Sequence, residues 1–221
     1  VSFVGHFDRL PIDALWRRAR DASAAEAAAA LTKRDLSLAD LAALLSPAAP
    51  LEPLAKRAHQ LTQQRFGKVI RLFAPLYLSN ECINNCQYCG FSRDNSILRV
   101  TLSVDEVVRE AKALAGKGFR NILLVAGEHP KFVSSGYMVD CVEALRDAVP
   151  SISLEVGPME TDEYRPLTQA GAEGLVVYQE TYDRKVYADM HTSGPKRNFE
   201  WRLETPERAH AASFRRLGIG T

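Results

Sequence analysis

The sequence predicts an α/β fold built on a parallel sheet and preceded by an α-helical N-terminal segment. Three observations predict it. The first third is alanine-rich and carries apolar residues at helical spacing. From about Lys68 onward, short apolar runs alternate with helical patterns. Those runs are apolar at successive positions, as expected of strands buried in a parallel sheet. A chain of 221 residues is long enough for one such domain with a substantial core.

The elements follow in order. Segments around 11–31, 38–46 and 51–66 read as helices, as in LADLAALL, with the SPAAP stretch as an interruption. This gives an N-terminal helical segment over 1–66 and a second region over 67–221. The strand runs are VIRLFAPLYLS, NILLVAGE, SISLEVGP, GLVVYQET and RRLGIGT. In LSVDEVVREAKALAGKG, Ser103 and Glu106 form a capping box, and Val104, Val107, Val108, Ala111 and Leu114 make one apolar face. Gly116 or Gly118 can end that helix. In ETPERAHAASFRRLG, Thr205 is expected to cap, Pro206 to take the first helical position and Gly218 to close. Strand–helix alternation with right-handed crossovers implies helices wrapped around the sheet, as part of a barrel or as an open doubly wound sheet. The last run stops at Thr221, so the chain is expected to end within the fifth strand, as a fragment.

Composition narrows the function classes. A net charge of +1 offers no bulk electrostatic case for nucleic acid or an anionic membrane. No apolar run approaches the roughly 20 residues of a membrane span, and the N-terminus lacks the pattern of a secretory signal. Four cysteines, three of them in one loop, do not look like a disulfide framework. They point instead to a reducing cytoplasm and a metal.

The chemistry concentrates in residues 81–91, ECINNCQYCGF. Cys82, Cys86 and Cys89 follow directly after the first strand, on the side where chemistry collects in parallel barrels. Three thiolates hold three corners of a [4Fe–4S] cube and leave the fourth iron open to a ligand. The competing reading is a structural zinc site, which is closed and needs a fourth ligand. Cys141 lies on the apolar face of the helical stretch YMVDCVEALRDAV, and neither His129 nor His191 belongs to a paired motif. The cluster is the better reading.

These residues resemble the signature of the radical S-adenosylmethionine (SAM) superfamily, Cys-x3-Cys-x-aromatic-Cys, with Tyr88 in the aromatic place. LFAPLYLSNECINNCQYCGFSRDN, LLVAGEHP, VVYQETYD and NFEWRLETPERA together resemble the 2-iminoacetate synthases, tyrosine lyases of thiazole (thiamine) biosynthesis. The resemblance runs from roughly Asp35 to the end. It implies a partial (βα)6 TIM-like barrel, a [4Fe–4S] cluster on Cys82, Cys86 and Cys89, and SAM as cofactor. It also implies that the SAM amino group meets Glu128, the ribose Glu180 and the carboxylate Arg202, with Tyr88 against the adenine. Ala126 replaces the first glycine of the family's Gly-Gly-Glu. Phe91 and Glu155 are further cavity candidates; His129 and His191 are weaker ones. The implied partners are L-tyrosine, a flavodoxin or ferredoxin reductant and a thiazole synthase. The related tyrosine lyase of [FeFe]-hydrogenase maturation is the alternative role, and a zinc-stabilised module without catalysis is the alternative from another class.

Overall fold

The computed structural model describes residues 2–221. It divides into two compact units, residues 5–70 and residues 71–221, the latter joined by the N-terminal residues up to Val4. After α1 (Phe3–Phe7), the first unit consists of α2 (Ile12–Asp21), α3 (Ala24–Leu31), α4 (Leu38–Leu44) and α5 (Leu51–Phe66). The one helix expected over 11–31 is therefore two. Ala22 is extended, and Ser23 begins a new helix with a capping box: its hydroxyl accepts from the Glu26 amide while the Glu26 carboxylate takes the Ser23 amide. Alanines on both sides kept the helical spacing running through this break.

The second unit contains β1 (Phe73–Ser79), β2 (Asn85–Cys86), α6 (Val104–Gly116), β3 (Asn121–Ala126), α7 (Ser135–Leu145), β4 (Ser151–Glu155) and α8 (Thr161–Ala170). It continues with β5 (Ala172–Val176), α9 (Arg184–Met190), β6 (His191–Ser193), α10 (Phe199–Leu203), α11 (Thr205–Ala211) and β7 (Arg216–Gly218). Five strands form one parallel sheet in the order β1-β3-β4-β5-β7. Each new strand adds on the same side of the last. A doubly wound sheet reverses its order at a switch point, so this succession is the barrel type. The remaining strands, β2 and β6, pair antiparallel as a short ribbon.

Helices cover one face of the sheet. Leu78, Ile122, Leu124, Ile152 and Leu154 pack there against Val107, Cys141, Leu145, Tyr164 and Leu167, all fully buried or nearly so. Of the two arrangements the sequence left open, this is the barrel one. The opposite face carries a row in direct register, Tyr77, Val125, Glu155, Val176 and Gly218, which lines open space in part. Its mix of aromatic, aliphatic and charged residues suits a cavity floor and not a helix contact.

Helix α6 follows the expected pattern: the Ser103–Glu106 capping box forms, Val107 and Ala111 are buried, and Gly118 turns the chain at φ 94° after Gly116. The C-terminal helix departs from it. Thr205 is the first helical residue and no cap, because α10 runs almost directly into α11 and the Thr205 hydroxyl donates back to the Trp201 carbonyl at 3.3 Å. Helix α11 ends at Ala211, and Gly218 lies in β7 instead, where a Cβ would come within 2.8 Å of Val176.

Leu154, on the central strand, is completely buried in the sheet–helix core. Leu154→Ala is expected to destabilise the full-length protein by about 2–5 kcal/mol in urea unfolding. A loss below about 1 kcal/mol would mean that this interface is not what holds the sheet.

Candidate active site

The cysteine loop leaves the sheet at the end of β1 and is tied down from outside itself. Its first anchor is the turn after β3. The Gly127 amide donates to the Ser79 carbonyl at 3.0 Å, and the Ile83 amide donates to the Glu128 carbonyl at 2.8 Å. A Cβ on Gly127 would run into the Glu81 carbonyl oxygen, so only glycine lets the two backbones approach. The second anchor is Arg99. Its guanidinium donates to the carbonyls of Asn80 (2.7 Å), Phe91 (2.9 Å) and Ser92 (2.7 Å), and more distantly to those of Arg93 and Asn95. The third is the β2–β6 ribbon, in which Cys86 pairs with His191 and the Gln87 amide donates to the Met190 carbonyl at 3.0 Å. Ser92 closes the loop on itself: its hydroxyl accepts from the Cys86 amide at 2.8 Å and donates to the Cys86 carbonyl.

All four cysteines are free thiols, and Cys82, Cys86 and Cys89 line a single cavity of about 460 Å³ at the C-terminal ends of the strands. Cys86 is buried, which pushes its thiol pKa up, while Cys82 and Cys89 are partly exposed. Apart from the Asn84 amide, 3.7 Å from Cys82 Sγ, no side chain engages these sulfurs among the described residues. Nor do any three His, Cys, Asp or Glu side chains there converge tightly enough for a single ion. A tetrahedral zinc site, with Zn–S of about 2.3 Å, draws its sulfurs close together. Three thiols spread around one opening fit the wider corners of a cubane. Cys141 stands apart, buried in the core of α7 with its thiol pKa pushed up to about 11 by burial.

The other cavity groups are placed by a small network. Glu128 lies two residues past β3 and accepts from Asn84 Nδ2 at 2.7 Å, while Gly157 leaves its side chain room: a Cβ there would sit 2.7 Å from Glu128 Cγ. Glu180, beyond β5, has a left-handed backbone (φ 73°) and accepts from Lys196 Nζ at 2.7 Å. Arg202 on α10 is buried; its Nε donates to the Tyr178 carbonyl at 2.7 Å and an Nη lies 3.8 Å from Glu180.

Tyr88 presents half its surface to the cavity, with Lys196 Nζ 5.5 Å from its ring centre. Its hydroxyl meets His191 Nε2 at 2.6 Å, and His191 Nδ1 meets the Tyr187 carbonyl at 2.7 Å. A carbonyl only accepts, so Nδ1 carries the proton, Nε2 accepts, and the tyrosine O–H donates. Burial lowers the His191 pKa and raises that of Tyr88, with Glu180 adding to the latter, so both stay neutral.

The seven residues singled out from the sequence as ligands or cofactor contacts (Cys82, Cys86, Tyr88, Cys89, Glu128, Glu180 and Arg202) all line this cavity, as do Phe91 and Glu155. His129 does not: its Nδ1 accepts the Lys131 and Phe132 amides and shapes a turn. His191 sits behind Tyr88. Arg184, a neighbour in sequence that could have paired with Glu180, reaches Glu200. Sequence reasoning passed over Asn84, Lys196 and Arg99. Asn84 lay inside the cysteine motif as a visible candidate, whereas nothing local to Lys196 or Arg99 marks them.

The Radical SAM superfamily profile matches residues 76–221. The chain is 43% identical over 221 residues to 2-iminoacetate synthase of Escherichia coli (strain K12), and 42% identical to that of Salmonella typhimurium. Both matches cover 99% of this chain and 59% of the relative, so the chain spans about three-fifths of their length. Among solved structures, the crystal structure of HydG, a maturase of the [FeFe]-hydrogenase, superposes with a TM-score of 0.89 at 29% identity, covering 95% of this chain and 49% of that one. Methylornithine synthase (PylB) superposes at 0.73 and 27% identity, covering 88% of this chain and 58% of that one.

Arg99 supplies the loop with donors that no other side chain replaces. In full-length protein reconstituted anaerobically with iron and sulfide, Arg99→Ala is expected to lower retained iron at least roughly two-fold, with little change in the unfolding of the sheet. Undiminished iron content would remove Arg99 from the support of the loop.

Proposed function

This chain belongs to the radical SAM superfamily, and from that premise we propose that the protein cleaves the Cα–Cβ bond of L-tyrosine, releasing 2-iminoacetate and p-cresol for thiazole biosynthesis. The 43% identity to a 2-iminoacetate synthase along nearly the whole chain supports the reading. The observation that carries it is the joint placement of three thiols, three carboxylates and a buried guanidinium around one cavity.

Members of the superfamily use a [4Fe–4S] cluster and SAM, and the donor set here fits both. When bound, the cluster supplies the electron that breaks the sulfonium S–C5′ bond of SAM. Cys82, Cys86 and Cys89 would hold it. The other side chains bind and orient. Glu128 keeps one oxygen on Asn84 and offers the other to the SAM ammonium. Arg202, its Nε anchored on the Tyr178 carbonyl, turns its remaining donors to the SAM carboxylate. Glu180, steadied by Lys196, accepts from the ribose hydroxyls. Tyr88, fixed by His191, lays its ring against the adenine. Positioning of this kind is the protein's main catalytic contribution.

A second reading is the tyrosine lyase of [FeFe]-hydrogenase maturation, favoured by the superposition on HydG. The higher identity to the 2-iminoacetate synthases favours the first. Among the described residues no helix is long and apolar enough to cross a membrane. We place the enzyme in the cytoplasm, with a flavodoxin or ferredoxin as reductant and a thiazole synthase as the consumer of its product.

Anaerobic incubation of the full-length enzyme with SAM, tyrosine and a reductant is expected to release p-cresol. Carbon monoxide and cyanide among the products would support the maturation role, and SAM cleavage without p-cresol would point to another substrate. A colourless protein holding one zinc would overturn both readings. Cys86→Ala is expected to abolish SAM cleavage while the fold persists. Arg202→Lys is expected to weaken SAM binding roughly ten-fold at unchanged iron content, because an ammonium cannot reproduce the guanidinium fork. Unchanged SAM affinity would refute that contact.

A further inference from the structure

Glu155 is a carboxylate in the cavity that has no hydrogen-bond or ion-pair partner among the described residues. It ends β4, the central strand of the five, and its register neighbours are Val125 on β3 and Val176 on β5. It therefore sits in the middle of the floor, flanked by two valines. The charged groups around it are already engaged: Glu128 by Asn84, Glu180 by Lys196, and Arg202 by the Tyr178 carbonyl. Among the described residues no hydrogen bond or ion pair reaches Glu155 itself.

A half-buried carboxylate without a donor is costly, and it gains most from a cation that arrives later. Burial raises the Glu155 pKa and the nearby Glu180 charge adds to it, while Arg202 and Lys196 pull the other way. A carboxylate between two valines, in a cavity where no three His, Cys, Asp or Glu side chains among the described residues come together around one point, suits a compact ammonium better than a metal ion. The C-terminal end of a central strand is also where a reacting atom is held most rigidly.

We propose that Glu155 binds the ammonium group of the amino-acid substrate and so sets its Cα over the centre of the sheet. This assignment rests on the amino-acid lyase reading above and names the contact that orients the bond to be cleaved. SAM carries an ammonium of its own, so the test has to separate the two.

The full-length, cluster-loaded enzyme and its Glu155→Gln variant are compared for SAM affinity, for the KM of tyrosine, and for binding of 3-(4-hydroxyphenyl)propionate, which is tyrosine without its amino group. The wild type is expected to prefer tyrosine over the amine-free analogue by roughly ten-fold or more. In the variant the tyrosine KM should rise by a similar factor, with the analogue bound as before, SAM affinity unchanged and the preference lost. A preference that survives the substitution would overturn the proposal. So would a parallel fall in SAM affinity, which would assign Glu155 to the cofactor. If the wild type neither binds tyrosine nor releases p-cresol, the tyrosine reading fails. The same comparison is then made with the amino acid that does stimulate SAM cleavage and its own amine-free form, under the same criteria.

Discussion

A loop that must keep three sulfurs available cannot also stabilise itself. The stretch from Asn80 to Asn95 has only the two-residue strand β2 as regular structure, and its thiols are held back from pairing. Part of its backbone pairs within the loop, as Arg93 does with Asn84 and Ser92 with Cys89, and the remaining groups need partners from elsewhere, since unpaired ones are expensive wherever water is excluded. Arg99 meets several carbonyls at once with a planar fork, a pattern that lysine's single ammonium cannot match. The β3 turn and the β6 strand supply further anchors. The thiols thus converge only after segments far apart in sequence have come together, and the site is a product of the whole second unit.

The cavity follows the same logic for charge. Three of the charged groups around it are each held by a protein partner: Glu128 by Asn84, Glu180 by Lys196, Arg202 by a backbone carbonyl. Groups held in this way need little reorganisation when a charged cofactor arrives, and preorganisation of that kind is where electrostatics contributes most. Tyr88 shows it in neutral form. Its hydroxyl is spent on His191, while the ring lines the cavity.

Much of this was legible in the sequence because local rules carried it. Successive apolar positions marked all five sheet strands, and Ser103 with Glu106 announced the start of α6. The cysteine spacing marked the loop whose three thiols line the cavity. Local rules also misled. Alanine spacing hid the break at Ala22, and Thr205 looked like a cap because nothing in its own neighbourhood shows that α10 precedes it without a gap. Nor could the pattern of apolar runs tell which sheet face lines the cavity. Lys196 and Arg99 were illegible for a deeper reason. Their roles are set by partners such as Glu180 and the Phe91 carbonyl, which only the folded chain brings near.

The backbone of Glu180 bears on which residues that position accepts. Left-handed φ costs a side chain such as glutamate on the order of 1 kcal/mol, and aspartate, asparagine or glycine would sit there more easily. Aspartate keeps the charge as well, yet it is one methylene shorter. The extra methylene carries the carboxylate out to Lys196, so at this turn side-chain length is gained at the expense of backbone ease.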